Sequence, residues 1–63
     1  MKTKDMVLTA IQTGNAQRLK NVQSYLRYKH QQTYKEFEDM VTRICNKNDI
    51  NITKAEISEL LLG

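Results

Sequence analysis

The sequence predicts one all-α domain, residues 1–63, built from four short helices. The chain has 63 residues, no proline and only two glycines, whereas lysine, glutamate, glutamine and leucine, which favour helix over sheet, are frequent. Its apolar residues recur at spacings of three and four, which is the period of an amphipathic helix. Two Thr-x-x-Glu sequences also mark places where helices begin.

The first predicted helix is short and amphipathic. It is capped by Thr3, runs to about Thr13 and stops at Gly14, a residue type that readily takes the left-handed conformation found after helix ends. Its apolar residues keep to one face, and they are Met6, Val7, Ala10 and Ile11. We expect this face to contribute to the core.

The second predicted helix begins after Asn15, whose side chain can cap it, and runs from Ala16 to about His30. Its narrow core stripe has apolar residues at spacings of three and four, namely Leu19, Val22 and Leu26. The opposite side is polar and consists of Gln17, Lys20, Asn21, Ser24, Arg27 and Tyr28. This helix therefore offers a surface to water or to a hydrogen-bonding partner.

A third helix is predicted to begin at the capping box Thr33 to Glu36 and to end near Asn46. Its apolar face consists of Tyr34, Phe37, Met40, Val41 and Ile44. The helix dipole favours acidic residues in the first turns, where this helix has Glu36, Glu38 and Asp39. Because no glycine or proline separates the second and third helices, the alternative is one long helix from Ala16 to Asn46.

A loop over residues 47–52 precedes the fourth helix and contains the turn-forming residues Asn48, Asp49 and Asn51. The fourth helix begins at a second capping box, Thr53 to Glu56. Ile52 and Ile57 occupy the two positions of a hydrophobic staple, which fixes how the chain enters the helix. The apolar residues of this helix are Ala55, Ile57, Leu60 and Leu61.

Stability considerations favour a homodimer, because domains this small are usually reinforced by disulfides, a metal or oligomerisation. The single cysteine, Cys45, excludes an internal disulfide. Together with the single histidine, His30, it cannot supply an ordinary zinc set. We therefore predict dimerisation through the apolar end of the fourth helix, which carries Ile57, Leu60, Leu61 and Leu62.

The charge is unevenly distributed along the chain. Residues 1–35 contain seven basic residues and one acidic residue, a balance of +6, and residues 36–63 contain three basic and six acidic residues, a balance of −3. The basic half is expected to contact phosphates by displacing their counterions. The predicted residues that bind DNA or a partner are Gln17, Arg18, Lys20, Asn21, Ser24, Arg27, Tyr28 and Lys29. The alternative is an ordinary solvated face with cations at a helix C-terminus.

A helix, the turn Thr13-Gly14-Asn15 and a basic helix follow one another, and this order resembles the helix-turn-helix of phage and bacterial regulators. Ala10 and Gly14 match the small residue and the turn glycine of that motif. The chain departs from the motif at its aliphatic positions. Where the motif has buried aliphatic residues, this chain has Thr9, Lys20 and Gln23. Leu19 and Val22 lie one residue early.

In size and style the chain also resembles the small regulators carried by phages and plasmids, which include a Bacillus phage co-factor of the host repressor LexA. We therefore expect a transcription-regulatory protein that binds DNA through its basic half. The alternative, which this resemblance implies, is a co-factor or inhibitor that binds a host DNA-binding repressor without contacting DNA. Opposed charge halves suit the alternative because they can orient a charged protein partner.

No enzyme motif is present, and we predict no catalytic residue, metal, cofactor or small-molecule substrate. Cys45 and His30 would act as nucleophile and base only if the fold joined them, and Cys45 is more simply a core residue. Tyr25 and Tyr34 are also assigned to the core, which leaves Tyr28 exposed. Without a secretory or membrane-spanning segment, the protein is expected in the cytoplasm and not at a membrane.

Overall fold

A computed structural model of the chain describes residues 2–62, and this range contains four α-helices and no strand. Helix α1 covers Thr3–Thr13, α2 covers Ala16–His30, α3 covers Tyr34–Lys47 and α4 covers Lys54–Leu62. Helices α1 and α2 pack against each other, as do α3 and α4, and contacts of α1 with α3 and of α2 with α4 close the bundle. The all-α prediction with four helices is confirmed.

Both predicted capping boxes are present. The Thr33 hydroxyl accepts a hydrogen bond from the Glu36 N–H at 3.2 Å, and the Glu36 carboxylate accepts one from the Thr33 N–H at 2.9 Å. Thr53 and Glu56 form the same pair of bonds at 3.2 and 3.0 Å. Each box satisfies backbone donors that the first turn of a helix cannot pair internally. They fix where α3 and α4 begin.

The predicted cap at Thr3 is wrong, because the cap position is occupied by the preceding residue. Lys2 has the extended backbone of a cap residue, and no side chain caps the helix there. Thr3 is the first helical residue, and it lines a groove between α1 and α2. At the other end, Gly14 stops α1 as predicted, in the left-handed conformation with φ 64°.

The chain breaks between α2 and α3, so the alternative of one long helix is wrong. Gln31 takes the left-handed conformation with φ 51°, and its N–H donates to the Leu26 carbonyl. The Gln32 N–H donates to the same carbonyl at 3.4 Å. These bonds satisfy the carbonyl at the end of α2, as in other left-handed helix ends. The capping box that follows then starts α3 in a new direction.

Ten buried residues from all four helices form one hydrophobic core. They are Val7 and Ala10 from α1, Leu19, Val22 and Leu26 from α2, Phe37, Val41 and Cys45 from α3, and Ile57 and Leu61 from α4. The predicted core stripe of α2 is confirmed in full. Cys45 is confirmed as a small core residue.

Two residues of α3 and α4 that were expected on core faces are exposed instead. Tyr34 is the first residue of α3 and keeps 41% of its accessible surface. Ala55 is exposed in the first turn of α4. Both lie where a helix is still entering the bundle. The phenol of Tyr34 keeps its polar end at the surface, as amphipathic side chains commonly do.

The end of α4 packs inside the chain itself, which corrects the predicted dimer surface. Ile57 is fully buried, Leu61 is 6% exposed, and Leu60 packs partly buried against the core. Leu62 is 83% exposed. Because the core already uses the other three side chains, the predicted surface is reduced to Leu62.

Candidate functional site

The exposed face of α2 carries a row of uncharged polar residues, Gln17, Asn21, Ser24 and Tyr28, which we call the polar ridge. Their spacings of four, three and four place them within about 60° of one another on a helix that turns about 100° per residue. All four are exposed. The ridge lies opposite the buried stripe of α2, so packing of the core fixes the direction in which it faces.

A hydrogen bond within the polar ridge orients two of its side chains. Gln17 Nε2 donates to Asn21 Oδ1 at 3.1 Å across one helical turn. The bond leaves the Gln17 amide oxygen as an acceptor and the Asn21 amide nitrogen as a donor at the surface. An ordered amide donor and acceptor of this kind can pair with the edge of a base.

Basic residues flank the polar ridge on both sides. Lys20 and Arg27 lie about 70–90° to one side of its centre, and Arg18 and Lys29 lie about 90–110° to the other. Arg27 and Lys29 are exposed, whereas Arg18 and Lys20 are half-buried. Long basic side chains of this kind cover apolar surface with their stems and keep their charge in water. Because α2 contains no acidic residue, four cations surround a neutral ridge.

The dimensions of this surface suit the major groove of DNA. A helix with its side chains is about 10–12 Å across, and the major groove is about 12 Å wide. From Gln17 to Tyr28 the ridge extends about 16 Å, at about 1.5 Å per residue. With the ridge against the bases, the flanking cations would face the phosphates on both walls of the groove.

The turn before α2 has elements of a helix-turn-helix, but its register differs from that motif. The Asn15 side chain caps α2 as predicted and accepts a hydrogen bond from the N–H three residues later at 3.1 Å. Leu19 and Val22 are buried, whereas Lys20 and Gln23, which the motif would bury, are half-buried. A shift of one residue turns a helix by about 100°. The outward-facing residues of α2 therefore differ from those of the motif.

The tyrosines of α2 are both at the surface, so the predicted burial of Tyr25 is wrong. Tyr25 is 53% exposed and Tyr28 is 82% exposed. Tyr25 lies at the edge of the buried stripe, where its ring forms a wall of the groove between α1 and α2. The Lys29 ammonium lies 5.9 Å from the centre of the Tyr28 ring, within range of a cation–π contact. The exposure of Tyr28 was predicted correctly.

A cleft of about 490 Å³ with polar residue types in its lining, which the sequence did not predict, adjoins Arg27 at the junction of α2 and α3. Its lining residues include Gln23 and Arg27 from α2, Gln31 from the turn and Tyr34 from α3. The cleft is formed only because the chain turns sharply at Gln31. It extends the hydrogen-bonding surface around Arg27 beyond the polar ridge.

The acidic residues at the start of α3 are held by internal partners. The Glu36 carboxylate accepts a hydrogen bond from the Thr33 N–H, and the backbone and side chain of Thr33 lower the pKa of this carboxyl. Glu38 Oε2 accepts from the Ser58 hydroxyl at 2.7 Å. Asp39 forms an ion pair with Lys54, whose ammonium lowers the pKa of the Asp39 carboxyl. Glu38 and Asp39 therefore join α3 to α4, whereas Glu36 caps its own helix.

The environment of Cys45 is that of a core residue. Its side chain is fully buried, and burial raises the pKa of the thiol, which disfavours the reactive thiolate. His30 is exposed at the end of α2. Within residues 2–62, no three His, Cys, Asp or Glu side chains are grouped so that they could hold a metal ion.

Comparison with protein-family models, curated proteins and solved structures finds no match for this chain. No helix between residues 2 and 62 has both the length and the apolar character needed to cross a bilayer. The geometry and charge of α2 therefore provide the basis for a functional inference.

Proposed function

We propose that this chain is a small, non-enzymatic transcription regulator of phage or mobile-element type that binds duplex DNA through α2. The observation that carries the proposal is the neutral polar ridge with cations on both sides. A solvated helix face needs no such separation of neutral and charged residues. A helix in the major groove does, because its outermost side chains meet bases and its flanks meet phosphates.

Each part of the surface has its own role in this proposal. Gln17 and Asn21 contact base edges through the amide groups that their hydrogen bond orients. Lys20 and Arg27 contact one phosphate backbone. Arg18 and Lys29 contact the other phosphate backbone. Ser24 and Tyr28 continue the polar ridge toward the end of α2. Basic, hydroxyl and amide side chains have these roles in other protein–DNA interfaces.

We further propose that the protein acts in the cytoplasm as a homodimer with a helix-turn-helix-like body. Two copies related by a two-fold axis would present two α2 helices to two half-sites of one operator. A single helix makes few base contacts, so a dimer that places two α2 helices on DNA is more specific than one chain alone.

A salt titration with a matched variant tests the proposal. We would measure fluorescence anisotropy of a labelled duplex from the region upstream of the protein's own gene, at about 50 and 200 mM salt. The affinity should fall steeply with salt. The Lys20→Ala/Arg27→Ala double variant should lose at least about tenfold in affinity, since it removes two phosphate contacts.

The control variant is Arg43→Ala/Lys47→Ala, which removes the same charge from exposed positions of α3. It should bind nearly as well as the unaltered protein. Absence of binding at low salt, or equal losses in the two double variants, would show that α2 is not a DNA-binding helix. Circular dichroism of each variant confirms that it is folded.

The second candidate function is a co-factor or inhibitor that binds a host DNA-binding repressor. The one-residue departure from the helix-turn-helix register supports it, because α2 then presents a face that the motif does not use on DNA. In this case the purified chain does not bind DNA, and a tagged copy retains one DNA-binding regulator from host lysate. The Lys20→Ala/Arg27→Ala variant should lose that regulator, whereas the α3 control should keep it.

A further inference from the structure

A groove between the start of α1 and the middle of α2 has no role in the proposed DNA contact. Thr3 and Met6 form one wall, and Val22 and Tyr25 form the other. The groove has a volume of about 370 Å³. Because a cavity of about 150 Å³ already accommodates a benzene ring, the groove has room for a leucine side chain. Its walls are mostly apolar, so they suit a hydrocarbon side chain better than a phosphate.

Cations stand at both ends of one wall of this groove. Arg18, Val22, Tyr25 and Lys29 follow one another on α2 at spacings of four, three and four, so they form one stripe along the helix. Arg18 lies one turn before the apolar pair and Lys29 lies one turn after it. The groove therefore favours an occupant that combines an apolar side chain with a negative charge.

The same chain carries a surface with that combination at the end of α4. Leu62 is 83% exposed, and among the described residues it is the one large aliphatic side chain that is exposed. Glu59, one turn earlier on α4, is also exposed. Residues three apart on a helix are neighbours, so this carboxylate lies beside the leucine. The end of α4 is thus apolar and acidic, and the groove is apolar and basic.

We propose that Leu62 of one copy inserts into the groove of a second copy, with Glu59 next to Arg18 or Lys29, and that the second copy returns the same contact. A reciprocal exchange fills both grooves and leaves neither free, so assembly stops at two copies. This inference rests on the dimer in the proposed function and gives it a defined interface. It does not require DNA, and the cation that pairs with Glu59 is withdrawn from the phosphate contact proposed for Arg18 and Lys29, whereas the other cation keeps it.

Sedimentation velocity of the full chain over micromolar to millimolar concentrations tests this interface. The unaltered protein should sediment as a dimer at the upper concentrations. Leu62→Glu and Tyr25→Glu should each weaken the dimer at least tenfold, because each puts a carboxylate into the apolar contact. Both positions are exposed in the single chain, so the variants should fold, which circular dichroism checks. The control Thr13→Glu adds the same charge at an exposed position outside the groove and should dimerise normally.

Mixing the two variants distinguishes reciprocal exchange from a simple contact between two Leu62 side chains. In the dimer of either variant alone, both contacts are damaged. A mixed dimer pairs the intact groove of Leu62→Glu with the intact leucine of Tyr25→Glu, so one contact is complete and both substitutions fall in the other, where a contact already lost cannot be lost again. The mixture should therefore associate more strongly than either variant alone.

Three results would overturn the interface: a monomer at all concentrations, a dimer that either variant leaves intact, or a mixture no stronger than its components.

Anisotropy with the labelled duplex on the same samples separates this outcome from the DNA proposal. Salt-dependent binding by a monomeric chain would remove the dimer interface and leave the α2 contact standing. A dimer with the expected variant effects but no DNA binding would keep the dimer interface and remove the α2 contact with DNA.

Discussion

Tyr34 donates a hydrogen bond to Ser58, 24 residues later in the chain, across 2.8 Å between their hydroxyl oxygens. The direction of this bond follows from the next one. The Ser58 oxygen lies 2.7 Å from Glu38 Oε2, and an ionised carboxylate only accepts, so Ser58 uses its single proton there. Tyr34 must supply the other proton. A directed chain of three side chains therefore ties α3 to α4.

Ser58→Ala should destabilise the protein by about 1 kcal/mol, because it removes the donor to the half-buried Glu38 carboxylate. Tyr34→Phe should cost less, because the exposed Tyr34 hydroxyl bonds to water in the unfolded chain and Ser58 keeps its bond to Glu38. Urea unfolding followed by circular dichroism measures both. Equal losses in the two variants would contradict the direction assigned to these hydrogen bonds.

Acid should destabilise the protein through Glu36 and Asp39. The backbone N–H and hydroxyl of Thr33 lower the pKa of Glu36, and the hydrogen bond from Lys54 lowers the pKa of Asp39. Both carboxyls bind protons more weakly in the folded protein than in the unfolded chain. They therefore stabilise the folded protein fully above their ordinary pKa values of 4.5 and 3.8. This contribution is lost as the pH falls through the lower pKa values of the folded state. The melting temperature should fall between about pH 5 and pH 2.

A matched pair of variants assigns this pH dependence. Glu36→Gln removes one of the two shifted carboxyls, so the melting temperature should fall less between neutral and acid pH than in the unaltered protein. Asp49→Asn removes an exposed carboxyl in the loop before α4, outside both capping boxes, and should leave the acid transition nearly unchanged. If Glu36→Gln loses as much melting temperature in acid as the unaltered protein, the charge of Glu36 does not contribute to the stability of the folded protein.

Gln31→Gly should stabilise the protein by roughly 1 kcal/mol. Gln31 has φ 51°, a left-handed conformation that costs a residue with a Cβ about 1–2 kcal/mol and costs glycine little, although glycine loses more entropy on folding.

Gly14→Ala is the converse change at φ 64°. No atom lies within 4 Å of the added Cβ, so backbone strain alone should destabilise this variant by about 1 kcal/mol. Thermal unfolding measures both, and stabilisation by Gly14→Ala would contradict this account.

The Cys45 thiol should react slowly in the folded protein. Its side chain is fully buried, and burial raises the pKa of the thiol, so both access and thiolate formation are disfavoured. Reaction with an aromatic disulfide reagent should be complete within the mixing time in urea and many times slower in buffer. A native rate close to the urea rate would show that the core around Cys45 opens readily.

Local features of the fold were predicted from the sequence because they depend on residues within a turn of one another. The caps at Asn15, Thr33 and Thr53 and the stop at Gly14 are of this kind. The burial of Leu61 and the exposure of Leu62 depend instead on which face of α4 meets the bundle, and no local signal gives that orientation. The same holds for Tyr25, which lies at the edge of a stripe.

The candidate site was predicted as a set of residues but without its internal arrangement. The sequence placed Lys20 and Arg27 with the polar residues of α2. Once the buried stripe is known, the same helix divides into a neutral ridge and two basic flanks, with Arg18 and Lys29 on the second flank. The groove beside Tyr25 was missed because it forms between two helices. The spacing of Arg18, Val22, Tyr25 and Lys29 was the signal that could have found one wall.

The ten-residue core takes two or three side chains from each helix, so no helix within residues 2–62 has a core of its own. Unfolding of this protein is therefore expected to be all-or-none, as in other single domains of this size. A cellular protease would meet either the intact bundle or a fully open chain, so turnover would follow the global free energy of unfolding. A substitution on α3 or α4, remote from α2, that costs about 1–2 kcal/mol would change the amount of protein several-fold. Regulation would then weaken through abundance, with the intrinsic affinity of α2 unchanged.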